Sequence, residues 1–215
     1  MAIHFCKRTY LSLTGFVLGA FLVVHLAMNL LGLWPDRLQA AVDALHSLGW
    51  KLTAIEIVVV FVPLAIHIVY GLRVLWHDKL KYNPDKERGS PLGQCLQQAS
   101  ALGLLVFLAL HLPTLHRWFG GRFDPAHAAL SISDALWRPF GASPSAAPLD
   151  SLVAWFYPAG LLAALFHAAN GLYTGADILR LTPTHRRQIR LWRASLAGMA
   201  ILLLAALSTW YAAAP

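Results

Sequence analysis

From Leu52 to Trp76 the chain reads LTAIEIVVVFVPLAIHIVYGLRVLW, an apolar run whose acidic and basic residues are Glu56, His67 and Arg73. Such a run exceeds the roughly 20 residues an α-helix needs to cross about 30 Å of hydrocarbon. Lipid offers no partner to an open backbone N–H or C=O, so the segment must satisfy its hydrogen bonds internally, as a helix. A barrel strand would alternate apolar and polar residues with period two, and this run does not.

Working outward, four further blocks share this character, and the five lie at about 10–34, 51–76, 94–118, 151–179 and 189–210. The expected fold is therefore all-α: an integral membrane bundle of five transmembrane helices forming a single domain over residues 1–215. Composition agrees, with 58% of residues hydrophobic and only 13% charged. Lys7 and Arg8 before the first block resemble the start of a secretory signal. The block is too long for one, and no small-residue cleavage pattern follows, so it is read as a mature helix. Residues 119–150, rich in Ala, Ser, Gly and Pro, are expected to form an outer cap loop with little regular structure and room for one short helix.

Basic residues set the orientation. With the N-terminus cytoplasmic, the inner side holds Lys7, Arg8, Arg73, Lys79, Lys81, Lys86, Arg88, Arg180, Arg186, Arg187, Arg190 and Arg193, twelve of the 17 Lys and Arg. That excess predicts a cytoplasmic N-terminus, and tryptophans near block ends fit an interfacial belt. The net charge of +7 is accounted for by topology and a possible docking surface, so no nucleic acid is invoked. Cys6 and Cys95 have no metal-ligand spacing and read as unpaired thiols.

Four of the ten histidines lie deep in the blocks: His25, His67, His111 and His167. An ionisable side chain at such depth usually faces the protein interior. At about 1.5 Å per residue, His25 lies about 22 Å above Tyr10, and His111 about 25 Å above Gln94. By the same rise His67 lies about 16 Å above Asp78, and His167 about 15 Å above Asp177. The four sort into two levels, with two helices at each. A single such histidine is as readily a hydrogen-bonded packing residue. Two imidazoles facing each other across a bundle are what a six-coordinate b-type haem needs, so two levels point to two haems. HIVYGL (67–72) and HAANGL (167–172) also place Gly71 and Gly171 one turn after their histidines, on the same helix face. A missing side chain there lets a flat macrocycle approach the backbone, or simply lets helices pack closely.

The segments VVHLAMN around His25, EIVVVFVPLAIHIVYG around His67, LALHLPTLHRW around His111 and LFHAANGLYTG around His167 resemble the di-haem cytochrome b membrane anchor of succinate:quinone oxidoreductases. The closest likeness is to the single-chain five-helix type of bacterial succinate dehydrogenases and fumarate reductases. The resemblance implies that His67 and His167 ligate the haem nearer the cytoplasm, and His25 and His111 the outer one. It also implies an iron–sulfur subunit and a flavoprotein subunit on the cytoplasmic side of a bacterial inner membrane, with quinone, menaquinone for this anchor type, as the electron partner. Dicarboxylate chemistry is not expected on this chain, which has no dinucleotide fingerprint, cysteine cluster or paired carboxylates. Two rivals are a haem b quinone-reactive subunit of a hydrogenase or formate dehydrogenase, and a histidine-relay transporter that would carry no haem.

Glu56 is the one acid well inside a block. It precedes His67 by 11 residues, about three turns at roughly 3.6 residues each, so it is expected to share a face with His67, Pro63 and Gly71. A carboxyl so placed suits proton exchange with quinone, with Asp43 and His46 in the outer connection as links to water. The alternative is a structural carboxyl bonded to a neighbouring helix.

Overall fold

The computed structural model describes residues 2–77, 91–116, 119, 121, 123–131, 151–182 and 184–212, with the backbone alone described at 2–8, 77, 91, 151–155, 185 and 210–212. The described residues are helical, without strands. Helix α1 runs Ala2–Leu30 and ends in a 3-10 turn, Leu31–Leu33. A short α2 spans Pro35–His46. The second apolar block is α3, Trp50–Ile55, a π-helical stretch, Glu56–Phe61, and α4, Val62–His77. Then come α5, Pro91–Leu115, α6, Ser151–Ile178, and α7, His185–Ala212.

Four segments are long and apolar enough to cross a membrane among the described residues: Thr9–Leu33, Trp50–Trp76, Leu92–Leu115 and Arg186–Thr209. Val58, Val106, Ile201 and Leu204 are each largely exposed on the outside of the bundle. In water such a surface would be a liability. Around a membrane bundle it is the face turned to acyl chains. Trp50 and Trp76 stand exposed at opposite ends of one apolar block, where amphipathic rings meet headgroups.

Side-chain contacts fix the helix directions. Thr14 of α1 meets His67 of α4, and Gln97 of α5 meets His167 of α6. Eleven and 14 residues further on, His25 of α1 meets His111 of α5. Helices α1 and α5 therefore run the same way, and α4 and α6 run back. The level of His67 and His167, here the near level, is the one closer to the start of α1. The far level is that of His25 and His111. Helices α1 and α6 hold the centre: α1 packs on α4, α6 and α7, and α6 packs on α5, α1 and α7.

The two levels stand further apart than block ends imply. Helix α1 begins at Ala2, eight residues before Tyr10, and α5 begins at Pro91 rather than Gln94. Hydropathy marks where lipid begins, whereas a helix continues for as long as its backbone bonds are made. Along α1 and α5 the levels are about 16–21 Å apart at 1.5 Å per residue.

The π stretch follows from its neighbour. Pro63 has no N–H, and its ring crowds the carbonyl four residues back, so the preceding turn opens. An opened turn breaks the count of three α-turns from Glu56 to His67. Glu56 consequently does not share the His67 face: His67 looks toward α1 and α6, and Glu56 meets His116 beyond the end of α5.

Helix α2 lies in a connection expected only as a loop. Pro35 opens it, Asp36 sits in its first turn, and Leu38 and Val42 form a buried cluster with Ala128. Gln39 binds the other side of the cap, donating to the Pro125 carbonyl at 2.7 Å and accepting from the Ala128 N–H at 3.1 Å. Gly49 turns the chain from α2 into α3 at φ 54°, a conformation that suits glycine. The rest of the expected cap, residues 132–150, and the basic connection 78–90 lie outside the described residues.

Asp124 starts the 3-10 turn Pro125–His127, accepting from the Ala126 N–H at 3.0 Å and from His127 Nδ1 at 2.8 Å. The His127 bond, then the Ala126 bond, hold its carboxyl below the usual carboxylate value. A depressed value means the tie is complete above the ordinary carboxylate pKa and is lost as pH falls through the lower folded one. The protection of the Ala126 amide, its exchange rate relative to the intrinsic rate at each pH, should therefore hold from neutral pH down through the ordinary carboxylate range and be lost below it. Asp124→Asn should flatten that dependence, and an unchanged profile in the variant would show that the carboxyl does not control the turn.

Candidate functional site

The four deep histidines meet in twos. His67 and His167 have ring centroids 6.1 Å apart with planes at 86°. His25 and His111 also lie 6.1 Å apart, at 84°. Two imidazole nitrogens on opposite sides of one first-row metal ion, each bond about 2.0 Å and each ring centre about 1.1 Å behind its nitrogen, put the ring centres about 6.2 Å apart. Both pairs are therefore spaced as two imidazoles that would hold one metal ion between them. Among the described residues no group of three or more His, Cys, Asp or Glu gathers around a point, as a metal held by protein alone requires. Paired histidines instead suit an iron whose other four ligands come from a macrocycle.

The near pair is oriented by hydrogen bonds. Thr14 Oγ1 lies 3.0 Å from His67 Nδ1 and 2.8 Å from the Tyr10 carbonyl oxygen. Gln97 Nε2 lies 3.1 Å from His167 Nδ1, and Asn170 Nδ2 donates to Gln97 Oε1 at 2.9 Å. Gly15 leaves room for the His67 ring, because a Cβ there would approach Cε1 to 3.3 Å. The far pair is oriented by rings. Phe21 stacks on His25 at 5.5 Å, and Phe107 stacks on His111 at 5.0 Å with 17° between planes. Tyr157 closes edge-on against His111 at 5.8 Å. His111 Nδ1 is buried without a hydrogen-bond partner among the described residues, an arrangement that calls for an explanation in a folded protein.

Gly71 and Gly171 face little protein. A Cβ at Gly71 would find Leu11 Cδ2 at 3.9 Å, and one at Gly171 would find Gln97 Nε2 at 3.8 Å, both ordinary contacts. Close helix packing therefore does not require glycine at either position. Gly160 differs, since a Cβ there would run into the Phe107 ring.

Glu56 Oε2 lies 3.7 Å from His116 Nε2, and the two side chains keep 34% and 24% of their exposure. Phe61 at 5.0 Å and Phe119 at 5.9 Å flank the His116 ring. His116 continues the turn of α5, its N–H bonded to the Leu112 carbonyl, and stands about 7 Å along the axis beyond His111 at 1.5 Å per residue. Asp43 accepts from Gln39 at 2.8 Å, and His46 is exposed at the end of α2. Arg73 and Arg180 are exposed, and Arg180 closes the end of α6 at φ 57°.

Sequence reasoning missed Thr14, Gly15, Gln97, Asn170, Phe107 and His116 as parts of these clusters. Gln97 and Asn170 carried a signal, since an amide inside an apolar helix needs a partner. Phe107 and Gly15 carried none, because aromatic and glycine residues are ordinary in membrane helices.

No family model matches the chain. It is similar to the succinate dehydrogenase cytochrome b558 subunit of Bacillus subtilis (strain 168), at 26% identity over 187 residues, covering 86% of this chain and 85% of the relative. No solved structure matches it.

The Phe107–Gly160 contact yields a test. Gly160→Ala should displace Phe107 and cost about 1–3 kcal/mol, the usual range for overpacking. Thermal unfolding of the purified protein in detergent should show a lower Tm, with partial recovery in Gly160→Ala/Phe107→Leu. An unchanged Tm in the single variant would mean that the ring shifts freely.

Proposed function

We propose that the chain is the membrane-embedded cytochrome b subunit of a succinate:quinone oxidoreductase. It crosses a bacterial cytoplasmic membrane five times, α6 supplying the further crossing, with its N-terminus in the cytoplasm. It passes electrons between a cytoplasmic iron–sulfur subunit and membrane quinone, menaquinone by the resemblance. The flavoprotein subunit beyond the iron–sulfur subunit carries the dicarboxylate chemistry. The observation that carries this reading is the meeting of four histidines from four helices as two 6.1 Å pairs. Similarity to a succinate dehydrogenase cytochrome b subunit over most of both chains supports it.

Two b haems would be held, one by His67 and His167 and one by His25 and His111, with Gly71 and Gly171 leaving their helix faces open beside the first pair. A bound haem supplies reversible one-electron transfer at its iron. The chain contributes axial nitrogens, an apolar surround and fixed ring planes. Glu56 is assigned to proton exchange with quinone on the far side, Asp43 and His46 linking that region to water. His116 Nε2, 3.7 Å from Glu56 Oε2, gives that carboxyl a neighbour with which a proton can be exchanged. The basic stretches 77–90 and 180–193 form the surface for the iron–sulfur subunit, and Arg73 or Arg180 would reach the propionates of the haem at the near level.

Replacing His67 or His167 with Ala in the assembled complex should remove mainly one component of the reduced-minus-oxidised spectrum, and replacing His25 or His111 the other. Retention of both components in all four variants would end the haem assignment. Glu56→Gln should keep both components and subunit assembly while quinone-linked turnover falls at least tenfold and dye reduction at the flavoprotein persists. Normal quinone turnover would remove Glu56 from the proton step.

A further inference from the structure

The two histidine pairs share one spacing and one angle but not one support. Thr14 has a single hydroxyl hydrogen, and two backbone carbonyl oxygens lie within reach of it, Tyr10 at 2.8 Å and Leu11 at 3.2 Å. With that hydrogen on a carbonyl, the oxygen turns its lone pairs to His67 Nδ1 at 3.0 Å, so Nδ1 carries the proton and donates. The Nε2 lone pair of His67 is then the one available to a metal. At His167 the Gln97 amide bridges Nδ1 at 3.1 Å and Asn170 at 2.9 Å. Oxygen and nitrogen ends of an amide are assigned from the network around them. Turning both amides over keeps the bonds to His167 Nδ1 and between the two amides, gives up the 3.3 Å donation to the His167 carbonyl and leaves Gln97 Oε1 facing that oxygen. Gln97 Oε1 then accepts from His167 Nδ1–H, Gln97 Nε2 donates to Asn170 Oδ1, and His167 Nε2 is likewise freed. Among the described residues the far pair shows no equivalent: His111 Nδ1 has no hydrogen-bond partner there, and Phe21 and Phe107 lie flat against the rings.

We propose that Thr14 and the Gln97–Asn170 couple are positioning residues for the near haem alone, setting the tautomer, ring plane and basicity of its two axial histidines, while the far haem's histidines are set by ring stacking. This rests on the haem reading above. A hydrogen bond at Nδ1 makes the ligating nitrogen a stronger electron donor, which favours the oxidised iron. Removing it should raise the midpoint potential of that haem. It also frees the ring to rotate from the near-perpendicular arrangement.

The test is electron paramagnetic resonance with redox titration of the intact complex carrying the full chain. Low-spin ferric iron between near-perpendicular imidazoles gives a signal at large g that moves as the planes rotate. Thr14→Val and Gln97→Met, each close in shape and lacking the polar group, should shift the g value and raise the potential of one signal, the same in both. Thr14→Ser should restore it, and Phe107→Leu should move the other signal. Thr14→Val with its Ser rescue suffices by itself if Gln97→Met fails to assemble. Both signals at their wild-type positions in Thr14→Val, or both moved alike, would overturn the proposal. A wild-type complex with no bis-histidine signal would overturn the haem reading beneath it.

Discussion

An imidazole inside hydrocarbon has two nitrogens and no water, and each nitrogen left unpaired is costly. Four such rings on four helices make the bundle answer for eight nitrogens. Burial among neighbouring helices, rather than contact with lipid, is the only way to do so, and it draws α1, α4, α5 and α6 together. The order of packing reflects this: α1 carries His25 of the far pair, α6 carries His167 of the near pair, and these two helices hold the centre. Apolar surface cannot fix that arrangement, because lipid tails and leucine side chains are equally comfortable against one another.

Around the near level the polar groups close on themselves. The Tyr10 and Leu11 carbonyls, Thr14 and His67 form one chain of contacts, and His167, Gln97 and Asn170 another. Polar networks in a low dielectric rigidify when complete. Around the far level the packing is aromatic, with Phe107 held between His111, Phe156, Tyr157 and the bare face of Gly160. Stacked rings restrain a plane but leave Nδ1 without a partner. One bundle therefore presents the same pair geometry twice in different chemical surroundings, hydrogen-bonded at one level and aromatic at the other.

The far end carries its own constraint. Pro63 opens the helix into a π stretch, and that departure turns Glu56 toward His116. Such interruptions are frequent at functional positions because they re-aim one side chain without unravelling a helix. The cap of α2 and the turn at Pro125 lies on the same side, tied through Gln39 and the cluster of Leu38, Val42 and Ala128. It binds two connections together above the point where Glu56 and His116 meet.

Helical class, apolar blocks and the sorting of the four histidines into two levels were readable from residue order, because each depends on one segment and on the requirement that lipid places on a backbone, whereas the spacing of the levels was not. The signal for α2 was equally local but was passed over: Pro35, Asp36, and apolar residues at 38, 41, 42 and 45 fit a short helix where a loop was expected. What no single segment contains is the angle at which two helices meet. The 6.1 Å pairings, the perpendicular ring planes, the partnership of Thr14 with His67 and of Gln97 with His167, and the pressing of Phe107 onto Gly160 are properties of helix pairs distant in the chain. Counting residues also assumes an unbroken α pitch, so it placed Glu56 on the His67 face. The π turn before Pro63 moved it. Sequence alone determined which groups the apolar helices carry; the tertiary structure decided how far apart they stand along the bundle and which of them touch, since both depend on packing between helices that periodicity within one helix does not encode.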